Sequence, residues 1–295
     1  MEALREQLAA AARLADGRLT ITDKEFRQLR DFIHRHTGIA LSEHKRALVC
    51  SRLARRLRHH RLTRYAEYYD LLTQNDPLGQ ELMEMINAIT TNKTDFFREP
   101  HHFTFLSKQL FPLYKQQKPR RLRLWSAAAS TGEEAYSLAI NVHEAFSDTL
   151  GWDIRILATD IDTRVLSHAQ EGVYSLAQVE RVPAPLLQRY FYKGTGKNEG
   201  LACVKPVLKT LLRFRRLSLI DEYWPMHGPF DVIFCRNVLI YFDKDTQRRL
   251  LERLALMLCH DGYLMLGHAE SIHGFDHLYR PVGHSIYQVR KGSSP

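Results

Sequence analysis

Residues 122–140, LRLWSAAASTGEEAYSLAI, hold the first side chains whose types and spacing could do chemistry. An apolar run ends at Trp125. Small residues follow, then Gly132 and the acids Glu133 and Glu134. The phosphate-cradling pattern GxxxxGK[ST] and the dinucleotide pattern GxGxxG are both absent. No Lys or Arg lies between Leu124 and Ile140, which disfavours a polyphosphate. Small residues let a flat ligand approach the backbone, and two acids without a cation suit a nucleoside lacking phosphate, above all a positively charged one. The competing reading is a plain strand-to-helix turn whose acids favour the helix dipole.

Two further stretches lie at matching positions. ILATDID ends in Asp160 and Asp162, about one strand-helix-strand unit later, where an acid can accept both hydroxyls of a ribose. Asp162 reads better as the cap of the next helix. FDVIFCRNVLIYF carries Arg236 and Asn237 at the end of an apolar run, and polar groups placed there need partners. Other chemistries lack their signatures. The cysteines 50, 203, 235 and 259 form no CxxC pair, and none of the fifteen histidines sits in HExxH, so no catalytic metal and no disulfide framework are expected.

The elements that must position these residues follow from periodicity. The first hundred residues read as helices with no strand pattern: Thr22 or Asp23 to about His36 with Gly38 as stop, Ser42 to about His60, Arg64 to Thr73, and Asp76-Pro77 to about Thr90. From Arg121 short apolar runs alternate with helical stretches, which predicts a parallel sheet wound on both faces. GYLMLGH and HSIYQVRK leave no room for a helix between them and read as an antiparallel pair. Residues 173–214 interrupt the alternation. GTGKNEGL reads as a hairpin turn between short strands at about 189–193 and 201–205, giving a small β insertion. The tail GSSP is expected to be disordered.

The 295 residues suit one large or two modest domains, and 44% hydrophobic residues suit a globular core. No apolar run reaches the roughly 18 residues of a membrane span. The opening MEALREQLAAAARLADGR is helix-prone and lacks a secretory layout, so a cytoplasmic protein without membrane insertion is expected. The net charge of +9 favours anionic partners without choosing among them.

These residues carry a specific resemblance. ITTNKTDFFREPHHF, WSAAASTGEEAYSLAI, ATDIDTRVLSHA, GPFDVIFCRNVLIYFDKDTQ and GYLMLGHAES together resemble the chemotaxis receptor methyltransferase family, over nearly the whole chain. That family uses S-adenosylmethionine to methylate glutamate side chains of transmembrane chemoreceptors in chemotactic adaptation. The resemblance implies a class I methyltransferase fold: a doubly wound seven-stranded sheet with an all-α N-terminal domain and a small antiparallel β insertion. It implies a helical substrate-recognition domain over 1–91, a linker helix at 92–120 contributing to the cofactor pocket, and a methyltransferase domain over 121–291 with its insertion at 173–214. By motif, it implies cofactor contacts at Asn92, Thr94, Arg98, Glu134, Asp160, Ser218, Leu219, Arg236 and Asn237. It also implies that Arg98 lies near the transferred methyl and Tyr241 where the substrate enters. The sequence departs from the family in two places: Ala135 follows TGEE where Pro is common, and Ser218 stands where Asn is common, with a shorter reach.

The mechanism implied needs no general base. A glutamate with pKa near ~4.3 is already ionised at neutral pH, and catalysis would come from aligning carboxylate, methyl and sulfur. S-adenosylhomocysteine is the product.

SEHKRALVCSRLARRLRHHRLTR carries eight Lys or Arg and one acid. Helical spacing puts Lys45, Arg52, Arg55, Arg56 and His59 on one face and Val49, Leu53 and Leu57 on another. Arg52, Arg55, Arg56 and Arg58 match the family's basic recognition helix, which implies docking of residues 43–60 on an acidic receptor bundle. KGTGKNEG fits the form of the insertion that tethers to a receptor C-terminal peptide, through residues 189–205. A nucleic-acid methyltransferase competes on charge alone. The fourth-strand motif is not NPPY-like, and no aromatic interleaves the basic helix, so no nucleic-acid partner is expected. A non-catalytic module that senses the cofactor is the third reading.

Overall fold

The computed structural model describes residues 19–116, 120–147 and 151–290. The helix-prone start, up to residue 18, and the GSSP tail lie outside the described residues. The chain divides into two compact units between Thr91 and Asn92.

In the first unit, α1 (Asp23–Thr37) is bounded by the signals its sequence carries. Thr22 and Glu25 form a reciprocal capping box, and Gly38 ends the helix at φ +74°. Phe26, Leu29, Phe32 and Ile33 make its buried stripe. A 3₁₀ turn at Glu43–Lys45 leads into α2 (Arg46–His59), which buries Val49, Leu53 and Leu57. α3 (Tyr65–Gln74) and α4 (Gln80–Ile89) complete the unit. α4 starts later than Asp76-Pro77 suggests. Gly79 turns left-handed, and the Asp76 carboxylate instead accepts the Leu82 N–H at 2.7 Å. Glu81 of α4 is 6% exposed. It accepts from Tyr68 Oη (2.6 Å) and from Arg56, and lies 2.7 Å from His60 Nε2. Burial pushes its carboxyl up, but these hydrogen bonds outweigh that and hold it below its ordinary range.

In the second unit, α5 (Pro100–Phe105) passes through a π-helical turn at Leu106–Leu110 into α6 (Phe111–Lys115). β1 (Arg121–Ala127), α7 (Glu133–Phe146), β2 (Asp153–Asp160) and α8 (Thr163–Glu171) follow. The chain then leaves the main sheet for β3 (Val173–Ser175), α9 (Leu176–Val179), α10 (Ala184–Tyr190), β4 (Phe191–Lys193), β5 (Leu201–Val204) and α11 (Pro206–Lys209). It returns as β6 (Leu212–Arg216), β7 (Phe230–Cys235), α12 (Lys244–Met257), β8 (Leu258–Leu266), β9 (Tyr279–Gly283) and β10 (Ile286–Val289).

The seven-stranded sheet has the order β6-β2-β1-β7-β8-β10-β9. It is parallel from β6 to β8, with Leu124 opposite both Ile156 and Val232. β10 runs antiparallel to β8 and β9 antiparallel to β10. Period-two alternation feeds a core on each face. Leu122, Leu124, Val232 and Phe234 enter one core, and Trp125, Ala127, Ile233 and Cys235 the other. The central strands are buried on both faces only towards their carboxyl ends, Leu124–Ala127 of β1 and Val232–Cys235 of β7, and apolar residues fill those stretches apart from Ser126.

Three details differ from the sequence reading. β9 is an additional edge strand, and its Pro281 fits there because an edge needs no N–H on its outer side. The insertion is a three-stranded antiparallel sheet, β3-β5-β4, rather than a two-stranded hairpin. Residues 189 and 190 end α10 instead of starting a strand, since Pro183 opens a helix that closes with its N–H-to-carbonyl bond at Phe191.

Candidate active site

β1, β2, β6 and β7 are adjacent in the sheet, and their carboxyl ends carry the chemistry-bearing residues. The turn after β1 is held against β2. The N–H groups of Ala128 and Ala129 both donate to Thr159 O, at 2.9 and 2.8 Å. The next one, from Ser130, donates to Asp160 Oδ2 at 2.8 Å. Three successive amides are therefore committed within the protein, so this turn forms no anion nest. Ala128 (φ +70°) and Ser130 (φ +50°) both adopt the left-handed region, which L-residues with a Cβ occupy at a cost of about 1–2 kcal/mol. Gly132 (φ +98°) has a second reason to lack a side chain: a Cβ there would sit 2.8 Å from that of Ala169 on α8.

Asp160 ends β2. Besides Ser130, it accepts the Asp162 N–H at 3.0 Å. Burial pushes its carboxyl up to about 6, and the backbone hydrogen bonds only partly oppose this. Asp162 caps α8 through Arg164 N–H and Val165 N–H, while its other oxygen accepts Asn92 Nδ2 at 2.7 Å. Asn92 O accepts in turn from Ser130 Oγ at 2.9 Å. The segment before α5 is thereby tied to both strand ends. Thr94 lies two residues on and is half-buried.

Arg236 follows β7, and its side chain is 1% exposed. Nη1 lies 3.2 Å from Glu134 Oε2, while Nη2 donates to Arg98 O at 2.5 Å and lies 3.4 Å from Glu99 Oε2. Glu134 also accepts from Ser126 Oγ at 2.6 Å. Burial pushes Glu134 up despite Arg236 and Ser126. Burial acts on Glu99 in the same direction, but Arg236 and the hydrogen bonds from His268 outweigh it and hold that carboxyl low. Arg98 donates to Lys93 O at 3.0 Å, and together with Glu99 it lines a cleft of about 460 Å³ with Phe97, Phe103, Asn141 and Arg181.

Glu99, His101 and His102 bring ligand-type atoms within 4.8 Å of one another. The positive charge beside Glu99 is already supplied by the Arg236 guanidinium. Asn237 is left-handed (φ +58°), and Tyr241 ends the 3₁₀ turn Leu239–Tyr241. Ser218 and Leu219 follow β6, where Leu217 N–H donates to Asp160 O at 2.9 Å. Ser218 is 2% exposed, and its Oγ has no hydrogen-bond partner.

Residues 92–288 match the family described as CheR methyltransferase, SAM binding domain, and residues 24–90 match its all-alpha domain. The chain belongs to the CheR methyltransferase family. It is similar to chemotaxis protein methyltransferase 2 of Pseudomonas aeruginosa, 48% identical, with 90% of this chain and 93% of the relative covered. It is also similar to the chemotaxis protein methyltransferases of Escherichia coli and Salmonella typhimurium, each 41% identical, with 93% of both chains covered in each case. The protein is thus an S-adenosylmethionine-dependent methyltransferase, and its fold is the class I fold that the resemblance implies.

The residues present fit that cofactor. A buried hydroxyl without a partner, a buried acid at the end of β2, and a small-residue turn suit a nucleoside's polar edge, its ribose and its flat ring respectively.

The four arginines of α2 lie in the other unit and separate into two kinds. Arg55 and Arg58 are exposed. Arg52 donates to Ile89 O, to Thr90 O at 2.8 Å and to Thr91 Oγ1 at 2.8 Å, and Arg56 is held by Glu81. Sequence reasoning left Ser126, Glu99 and Glu270 without a role. Glu270, 6% exposed, accepts three backbone N–H groups around Asn237. Its only signal was an acid amid the small and apolar residues of GYLMLGHAES. Among the described residues no helix is long and apolar enough to cross a membrane.

Proposed function

We propose that the enzyme forms methyl esters on glutamate side chains of methyl-accepting chemoreceptors. The observation that carries this reading is the relatives named chemotaxis protein methyltransferases, matched over about nine-tenths of the chain. S-adenosylmethionine supplies a methyl group on a sulfonium already activated for displacement. The receptor carboxylate oxygen bonds to the methyl carbon in line as the carbon–sulfur bond breaks, and no proton moves. S-adenosylhomocysteine leaves as a neutral thioether.

The protein's residues bind and orient. Asp160 would accept the ribose hydroxyls, and Ser218 Oγ and the Leu219 backbone would meet the adenine edge. Asn92, Thr94, Arg98, Glu134, Arg236 and Asn237 would line the rest of the pocket. Glu134 and Glu99 neutralise Arg236, so its charge does not oppose a cationic cofactor. Arg98 and Tyr241 would orient the incoming carboxylate. They must not hold it too tightly, because its charge is consumed in the reaction.

The receptor's acidic helical bundle would dock on the basic face of residues 43–60. The exposed Arg55 and Arg58 would carry the contact, with Arg52 and Arg56 serving mainly to hold the helix. The receptor C-terminal peptide would add to the insertion at residues 189–205, whose outer strand β4 is an edge strand. A cytoplasmic location follows from a substrate of this kind.

The test is methyl transfer from labelled S-adenosylmethionine to receptor-containing membranes, with and without the receptor's C-terminal peptide. Base-labile receptor label that disappears with Arg98→Ala supports the reading. Cofactor binding without receptor labelling across a broad receptor panel refutes the assigned substrate.

A further inference from the structure

Asn237 adopts a left-handed backbone although it is not a glycine, and it stands between the end of β7 and the turn that carries Tyr241. Such a conformation persists only where its surroundings hold it. The Glu270 carboxylate supplies the hold. Oε2 accepts the Asn237 N–H at 2.8 Å and the Gly267 N–H at 2.7 Å, and Oε1 accepts the Leu239 N–H at 2.8 Å. One buried anion therefore binds the backbone on both sides of Val238 and ties it to the end of β8. Gly267 makes the arrangement possible. A Cβ there would overlap the Asn237 side-chain amide and lie 2.8 Å from Glu270 Oε2. On the far side, Gln247 Nε2 donates to Leu239 O (2.8 Å) and Phe242 O (3.0 Å), so the turn is gripped at both ends.

We propose that Glu270 is a positioning residue for the methyltransferase reaction. By accepting these three N–H groups it holds Asn237 in the conformation its cofactor contact requires and sets the origin of the turn bearing Tyr241. This rests on the assignment of Asn237 to the cofactor pocket. Only a carboxylate meets the need at this position. A glutamine of the same shape has one oxygen and one amino group, so whichever way it turns it faces an N–H donor with another donor.

The experiment measures S-adenosylhomocysteine affinity by calorimetry, and kcat and KM for S-adenosylmethionine. The proteins are the full-length chain, Glu270→Gln, Asn237→Gly and the double variant. Glu270→Gln is expected to weaken S-adenosylhomocysteine binding about tenfold, with KM rising more than kcat falls. Glycine takes the left-handed region unaided, so in the Asn237→Gly background the same change is expected to cost no more than about threefold, a clear departure from additivity. Equal losses in both backgrounds, or Glu270→Gln binding within about twofold of the parent, would overturn the proposal. Should Glu270→Gln fail to fold, Glu270→Asp carries the same comparison, since it keeps the charge and shortens the reach. Asn237→Gly binding as tightly as the parent would refute the pocket assignment itself, whereas impaired Asn237→Gly with additive losses refutes the role of Glu270 alone.

Discussion

Replacing Arg236 by methionine tests the electrostatic centre of the site. The arginine side chain is 1% exposed and faces Glu134 at 3.2 Å, Glu99 at 3.4 Å and Arg98 O at 2.5 Å. Its removal strands two carboxylates in a poorly solvated place. Breaking a buried ion pair from one side costs about 3–5 kcal/mol. The low end applies here, because Glu134 keeps Ser126 and Glu99 keeps His268. At about 2–4 °C per kcal/mol for a unit of this size, the unfolding midpoint should fall by roughly 6–12 °C.

Adding Glu134→Gln to Arg236→Met should recover part of the loss, about 1–2 kcal/mol, since the amide buries no charge. The pH dependence has a definite sign. Glu134 is already pushed up by burial and rises further without its cation, so the folded state takes up a proton more readily than the unfolded one. Arg236→Met should therefore gain stability relative to the parent as pH falls through the raised pKa, and lose it again as pH rises. Thermal unfolding of the three proteins at several pH values decides the matter. A midpoint lowered by less than about 2 °C in Arg236→Met, or a double variant no more stable than the single one, would refute the reasoning.

Asp160 is held up at about 6, so its carboxyl is neutral below that pH and loses acceptor capacity. S-adenosylhomocysteine affinity, followed by calorimetry, should therefore fall as pH drops through 6, and Asp160→Asn should flatten that profile. Ser218→Ala removes a buried hydroxyl that makes no hydrogen bond within the protein. The unfolding midpoint should hold or rise while S-adenosylhomocysteine binding weakens about fivefold; unchanged binding would place the hydroxyl outside the pocket. Arg55→Glu with Arg58→Glu should raise KM for receptor membranes, most at low salt, and leave the unfolding midpoint unchanged. Arg56→Met should instead lower the midpoint by exposing the need of Glu81 for its cation, which circular dichroism would detect.

Much of the fold is legible because its signals are local. The Thr22 capping box and Gly38 bracket α1 within the sequence itself. The doubly buried parts of β1 and β7 show as short apolar stretches, Leu124-Trp125 and Val232–Cys235. β3 and β9 escape notice for physical reasons. Three residues, Val173–Ser175, are too few to show a period, and Pro281 argues against any strand but an edge. The division of the α2 arginines is invisible to helical spacing, which groups Arg55 with Arg56. Only the tertiary placement of Glu81 removes Arg56 from the solvent-facing set. Glu270 is illegible for a similar reason. Its three partners are backbone N–H groups, two of them some thirty residues away, and backbone amides leave no mark on a sequence.

The strand order also bears on how the chain is made. In the first unit alternate helices pack together, α1 on α3 and α2 on α4, all before residue 90, so it can acquire its core while the rest is still being translated. β1 cannot do the same. Its partner on one side, β2, arrives soon, but β7, which pairs at Val232, follows roughly a hundred residues later and after the whole insertion. Until then β1 presents Trp125 and an open edge to the surroundings. A ribosome paused before residue 230 would therefore display a strand whose apolar end and one edge are still unpaired, and chaperone capture should peak on nascent chains of that length.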